Sequence, residues 1–251
     1  MNKTRLVDYK KYVFSFKDWC VFAFVLTAIS VMFGLVLFES LKIGIVFSII
    51  SSPFVFARLK KYFMRKRLEE LERQFCDALQ LMSASLSAGL SFTSCVSEIA
   101  SGDLSVDGNL RLVQKEFANM QRLIALNISP EEAVEAFAKR TGSRDIQNFS
   151  NALYESLQAG GNLVQLVRNS ASALRVKYDS EDEIRSLLNL PRFNHRIMMV
   201  MPFVLILMVK AIAPGYVEPL YTEGARWILF LVAFLIILSW YIGERISDIK
   251  F

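Results

Sequence analysis

The chain is poor in the residues that carry most enzyme chemistry. It has one histidine, His195, and three cysteines, Cys20, Cys76 and Cys95, in 251 residues. A single imidazole and no C-x-x-C pair leave no zinc ligand set. Three cysteines without paired spacing exclude a disulfide scaffold, and they read as small buried apolar residues. No G-x-x-x-x-G-K-[ST] phosphate cradle occurs, nor G-x-S-x-G, H-E-x-x-H or an EF-hand loop. No charged residue lies centrally in any long apolar run, so an ion or proton relay lacks its groups. No catalytic residue, cofactor site or metal site is therefore expected. His195 sits in Arg192-Phe193-Asn194-His195-Arg196 and reads as an interfacial residue.

What is present is apolar: 53% of residues are hydrophobic and 20 are Phe, against 21% charged. That content excludes disorder. With a mean hydropathy of +0.35, apolar and charged residues must be segregated along the chain, as in a membrane protein with a polar domain. Residues 20–38 carry no charge, and twelve of these nineteen are Leu, Ile, Val or Phe. At about −0.4 kcal/mol each they favour insertion by roughly 5 kcal/mol. Residues 43–57 form a second uncharged run between Lys42 and Arg58, whose side chains can snorkel outward. After a long polar stretch come 197–213, with Lys210 near its end, and 227–243, with Trp227, Trp240 and Tyr241 near its ends. Four membrane-spanning helices are expected.

Lys and Arg set the orientation. Lys3, Arg5, Lys10, Lys11 and Lys17 precede the first run, and Arg58, Lys60, Lys61, Arg65, Lys66 and Arg67 follow the second. Arg185, Arg192 and Arg196 precede the third, and Arg245 and Lys250 follow the fourth. Opposite them stand Lys42, Lys210 and Arg226. The expected layout is a cytoplasmic segment 1–19, a transmembrane hairpin 20–57 (20–38 and 43–57), a cytoplasmic domain 58–196, two further spans in 197–243 (197–213 and 227–243) and a cytoplasmic tail 244–251. The net charge of +5 is modest and gathers beside the spans, so membrane lipid is an expected partner and nucleic acid is not. The run 58–67 reads first as this topology signal, and binding of anionic lipid or an acidic partner is its minority reading.

Residues 58–196 carry 19 Lys/Arg and 17 Asp/Glu. Their apolar residues recur at helical spacing: Leu68, Leu71, Phe75, Leu79, Met82 and Leu86, then Leu110, Val113, Phe117, Met120 and Leu123. Gly89, Gly142 and Gly160-Gly161 read as helix ends; Ser91, Ser129, Ser143 and Asn162 read as N-caps. Ser129-Pro130-Glu131-Glu132 and Asn162 with Gln165 read as reciprocal capping pairs. Six helices follow, near 65–88, 92–100, 109–127, 130–141, 144–159 and 163–190. The acidic groups Glu69-Glu70-Glu72 and Asp179-Glu181-Asp182-Glu183 read as solvated or ion-paired faces.

A faint internal repeat is also visible. Ser85-Leu86-Ser87-Ala88-Gly89 resembles Ser156-Leu157-Gln158-Ala159-Gly160 at an offset of 71, with Ser91 falling on Asn162, Val96 on Val167 and Ala100 on Ala171. If six helices alternate in direction, the turns Ala88–Ser91, Asn127–Pro130 and Ala159–Asn162 share the end away from the membrane. The expected partner-contact residues are Ala88, Gly89, Ser91, Asn127, Gly160, Gly161, Asn162 and Arg168.

Several short strings stand in order around these elements: Ser87-Ala88-Gly89-Leu90-Ser91, Ala159-Gly160-Gly161-Asn162-Leu163, Met201-Pro202-Phe203, Pro214-Gly215-Tyr216-Val217-Glu218-Pro219-Leu220 and Ile242-Gly243. Together they resemble the type II secretion system F family (GspF-like domain), most closely its TadB/TadC tight-adherence pilus branch. That branch carries the helical domain once, as here. The resemblance implies an all-α integral membrane protein: four transmembrane helices around a cytoplasmic antiparallel six-helix bundle. It implies a non-enzymatic inner-membrane platform that couples a cytoplasmic secretion or pilus ATPase to extraction of prepilin subunits. Such a platform works beside a second platform protein of the same family, as a homo- or hetero-oligomer. The competing classes are a membrane scaffold or signalling protein, and a membrane enzyme or transporter of another type.

Overall fold

The computed structural model describes residues 27, 41–102, 110–213, 215, 231, 235 and 238. Among them every regular element is an α-helix: α1 (Leu41–Ser87), α2 (Phe92–Ser101), α3 (Arg111–Ala125), α4 (Pro130–Thr141), α5 (Arg144–Gln158) and α6 (Leu163–Ile212). The expected spans 20–38 and 227–243, the segments 1–19 and 244–251, and the loop residues 103–109 lie outside the described residues, apart from isolated helical positions at 27, 231, 235 and 238.

Two helices are longer than their sequence patterns suggested. α1 runs unbroken through 58–64, where a gap between a span ending at 57 and a helix starting near 65 was expected. The reason is local: Arg58-Leu59-Lys60-Lys61-Tyr62-Phe63-Met64 holds no Gly, Pro or Asn, so nothing there stops a helix. α6 likewise continues past 190 to Ile212, with Pro191 and Pro202 inside it. A lone proline removes one backbone bond but leaves the rest of the ladder standing. The charge changes at 58 and 196 therefore fall within continuous helices and do not mark a break.

The chain divides into two compact units, one formed in its described part by Leu59–Glu181 and the other by 41–58 and 182–213 with the scattered positions beyond. In the first unit, helices α2 to α5 pack in sequence order, α2 on α3, α3 on α4 and α4 on α5. Its core is the apolar stripe read from the sequence. Leu71, Phe75, Leu79 and Met82 of α1 are at most 1% exposed, and Val113, Phe117 and Met120 of α3 at most 2%. Each such side chain contributes about 2 kcal/mol by leaving water. Phe75 stands edge-on to both Phe137 of α4 and Phe149 of α5, at 5.8 and 5.5 Å between ring centres. One aromatic of α1 thus organises two other helices.

The second unit has a different surface. Met198, Val200, Val204, Leu205, Met208 and Ile212 of α6 are all exposed. The most apolar stretch of α6 has a mean hydropathy of 1.8 and none of it is buried within the protein. Among the described residues, α6 is the helix long and apolar enough to cross a membrane. Aliphatic side chains left this bare need lipid or another protein around them.

Candidate functional site

The three turns expected to share one end of the domain are built alike. At the end of α1, Ala88 N–H donates to Ala84 O, Gly89 N–H to Leu86 O and Leu90 N–H to Ser85 O. At the end of α5 the same three bonds recur 71 residues on, from Ala159 to Glu155, Gly160 to Leu157 and Gly161 to Ser156. The end of α3 repeats them from Leu126 to Arg122, Asn127 to Ile124 and Ile128 to Leu123. The bond reaching back five residues is the Schellman closure, and it requires a left-handed residue. Gly89, Asn127 and Gly160 fill that place, at φ +91°, +60° and +63°.

Two residues after each left-handed position comes an N-cap. Ser91 Oγ accepts from Ser94 N–H at 3.1 Å, Ser129 Oγ from Glu132 N–H at 3.3 Å, and Asn162 Oδ1 from Gln165 N–H at 3.1 Å. The reciprocal half of the second pair is not made: Gln165 Nε2 donates to Asn169 Oδ1 instead. The turn at Gly142 is of another kind. It closes by a single bond from Gly142 N–H to Ala138 O, and its cap, Ser143, follows immediately. The repeat seen in the sequence is thus a repeat of turn geometry, used a third time where Asn replaces Gly and no sequence likeness shows it.

Of the expected contact residues, Ala88, Gly89, Ser91, Asn127, Gly160, Gly161 and Asn162 are exposed. Arg168 Nη2 donates to Ser87 Oγ at 3.2 Å, which ties the start of α6 to the first turn. Gly161 is constrained by space, since a Cβ there would lie 2.7 Å from Ser156 Oγ and 3.2 Å from its carbonyl oxygen. Gly160 has open space, so only its backbone matters. Gly160→Val should destabilise the turn by about 2 kcal/mol, because a β-branched residue resists positive φ. Gly160→Asn should be far milder, since Asn127 holds the equivalent place. Amide exchange at Gly161 and Leu163 in the full chain would separate the two variants. Equal protection in both would show that φ is not what glycine supplies here.

A second cluster joins α1, α5 and α6. Ser143 Oγ donates to Glu72 of α1 while capping Ile146 N–H. Asp145, in the first turn of α5, accepts from Lys177 Nζ at 2.7 Å and Tyr178 Oη at 3.0 Å. Arg73 of α1 lies over the Tyr178 ring at 5.4 Å. Burial pushes the Glu72 carboxyl above its usual range, with the Ser143 bond opposing and Asp145 adding to the shift. Burial, then the negative charges of Asp145 and Glu72, push the Tyr178 phenol well above its usual value. Burial works against the Lys177 charge, but Asp145 more than offsets it and the ammonium is held. A separate ion pair joins Arg140 of α4 to Glu116 of α3, whose side chain is 2% exposed.

Asp179 pairs with Arg175 and Glu72 is held by Ser143, so both acidic runs have protein partners. Among the described residues no group of His, Cys, Asp and Glu is placed to hold a metal. Cys76 and Cys95 are buried, and burial raises both thiols above their usual value, as suits inert core residues. Cys20 lies outside the described residues. His195 is half-buried on α6, and among the described residues its Nε2 has no hydrogen-bond partner.

No curated protein matches the chain, and no solved structure does. The family model described as type II secretion system (T2SS), protein F, matches residues 78–210, just over half of the chain. The match begins on α1, takes in all three turns of common build, and ends in the apolar part of α6; the chain belongs to the type II secretion system protein F family.

Proposed function

We infer that the protein is a membrane platform of a Tad-type pilus or type II-like secretion machine, which couples a cytoplasmic assembly ATPase to extraction of pilin subunits. The observation that carries this reading is the family match over residues 78–210, together with an α6 that leaves the polar unit as a bare apolar helix. In this proposal 20–38, 43–57, 197–213 and 227–243 cross the membrane. Residues 58–196 form an antiparallel bundle of six helical segments in the cytoplasm. A second platform protein of the family and prepilins are membrane partners. The protein does no bond-making itself; it transmits movement.

The ATPase is placed at the three turns of common build. Crosslinking tests this with cysteines at Leu90, Leu126 and Ala159, which are exposed and close the turns through backbone N–H groups that a cysteine keeps. Arg144, beside the different turn at Gly142, is the exposed control, since its neighbour Ser143 is buried. The ATPase should copurify from membranes and crosslink to the three turns, and Arg168→Glu should weaken its retention without changing the helical content. Stronger crosslinking at Arg144 would sink the placement, and an ATPase that never copurifies would favour the scaffold reading.

A further inference from the structure

Several charges in the unit Leu59–Glu181 are paired: Lys139 with Glu135, Arg140 with Glu116, Arg175 with Asp179 and Lys177 with Asp145. One stretch is basic throughout. Residues 58–68 of α1 hold six Lys/Arg and no Asp/Glu. Lys60, Lys61, Arg65 and Lys66 are exposed, and among the described residues no carboxylate pairs with them. Exposed Tyr62 sits in their midst. The helix is continuous from the apolar run 43–57 into this stretch.

We propose that Lys60 and Lys61, with Tyr62 beside them, bind the phosphates of anionic phospholipids at the membrane surface, while Arg65 and Lys66 act on the same lipids only through the surface field. This rests on 43–57 being a span. Helical rise separates the two pairs. At 1.5 Å per residue, Lys60 and Lys61 stand about 5–6 Å beyond Ala57, and Arg65 and Lys66 about 12–14 Å. A headgroup layer is about 5–7 Å deep on each side of a bilayer. The first pair therefore lies within it, where tyrosine is also favoured. The second pair stands beyond it, at a distance comparable to the screening length of about 8–10 Å. Salt should remove the second contribution and spare most of the first.

The test uses the full chain, released from mixed micelles of phosphatidylglycerol and phosphatidylcholine, with retained lipids counted by native mass spectrometry. Each cation near the surface is expected to favour the anionic lipid about fivefold. Lys60→Gln with Lys61→Gln should abolish most of the preference at any salt. Arg65→Gln with Lys66→Gln should reduce it only at low salt. Circular dichroism of each variant checks that the helices persist. Equal retention of the two lipids by the unaltered chain would overturn the proposal, as would a preference that survives all four substitutions. Displacement of the lipid by inorganic phosphate would show a phosphate site and overturn the assignment to lipid. Reaction of Ser48→Cys with a water-soluble maleimide in intact membranes would remove the premise. No ATPase or pilin enters the assay, so a failed pull-down leaves its result unaffected.

Discussion

Arg140→Ala should loosen α3 and α4 more than any surface substitution in the protein. Glu116 is 2% exposed and Arg140 is its ionic partner. Removing the guanidinium leaves a carboxylate buried without compensation, which typically costs about 3–5 kcal/mol. Arg140 retains some exposure to water, so the lower part of that range applies. Hydrogen exchange in the full chain is the suitable measurement, since it reads α3 and α4 apart from the apolar helices. Their slowest amides should exchange on the order of a hundredfold faster. The double variant Glu116→Met with Arg140→Met should recover most of the loss, because two apolar side chains of similar size leave no orphan charge. A double variant as weak as the single one would mean that packing at this place, and not charge, holds the helices.

Phe75→Ala should have an effect of similar size by a different route. Phe75 is 1% exposed and its ring meets Phe137 and Phe149. Truncation removes buried apolar surface and leaves a cavity between three helices, at about 3–5 kcal/mol. The effect should spread over α1, α4 and α5 together, where Arg140→Ala stays with α3 and α4. Phe75→Leu should cost much less because it refills most of the space. If Phe75→Ala altered only α1, the aromatic cluster would not be the centre described above.

The two losses differ in how legible their causes were. Phe75 sits in the stripe Leu71-Phe75-Leu79-Met82, and spacing alone marked it as core. The caps at Ser91, Ser129, Ser143 and Asn162 were equally readable, since a cap is a bond between near neighbours. The pairing of Arg140 with Glu116 spans 24 residues, and no local pattern announces it. Gln74 is a clearer case. α3 has no cap of its own, because Leu110 stands at its N-cap; Gln74 Oε1 of α1 accepts from Leu112 and Val113 N–H at 2.9 and 3.2 Å. The sequence held two hints: a helix start without a capping residue, and an amide within the buried side of α1. Neither names the other.

Gly89 and Gly160 were legible as turns, because glycine marks backbone that turns left-handed. Asn127 takes the same conformation, but asparagine is common outside such turns and did not mark it. Continuity of α1 and α6 was harder to foresee, because hydropathy changes abruptly at 58 and 196 while helix propensity does not. Polarity reports surroundings; the absence of breakers reports the backbone. The two signals disagree at 58 and 196, where polarity changes and the helix continues.

The cluster at the start of α5 has a mechanical consequence. Ser143 grips α1 through Glu72, and Asp145 grips α6 through Lys177 and Tyr178, both within one turn of a short helix. Sliding α6 along α1 by one turn, about 5.4 Å, would part these bonds together. Within the unit Leu59–Glu181, the start of α5 therefore acts as a clasp that fixes the register of one long helix against the other.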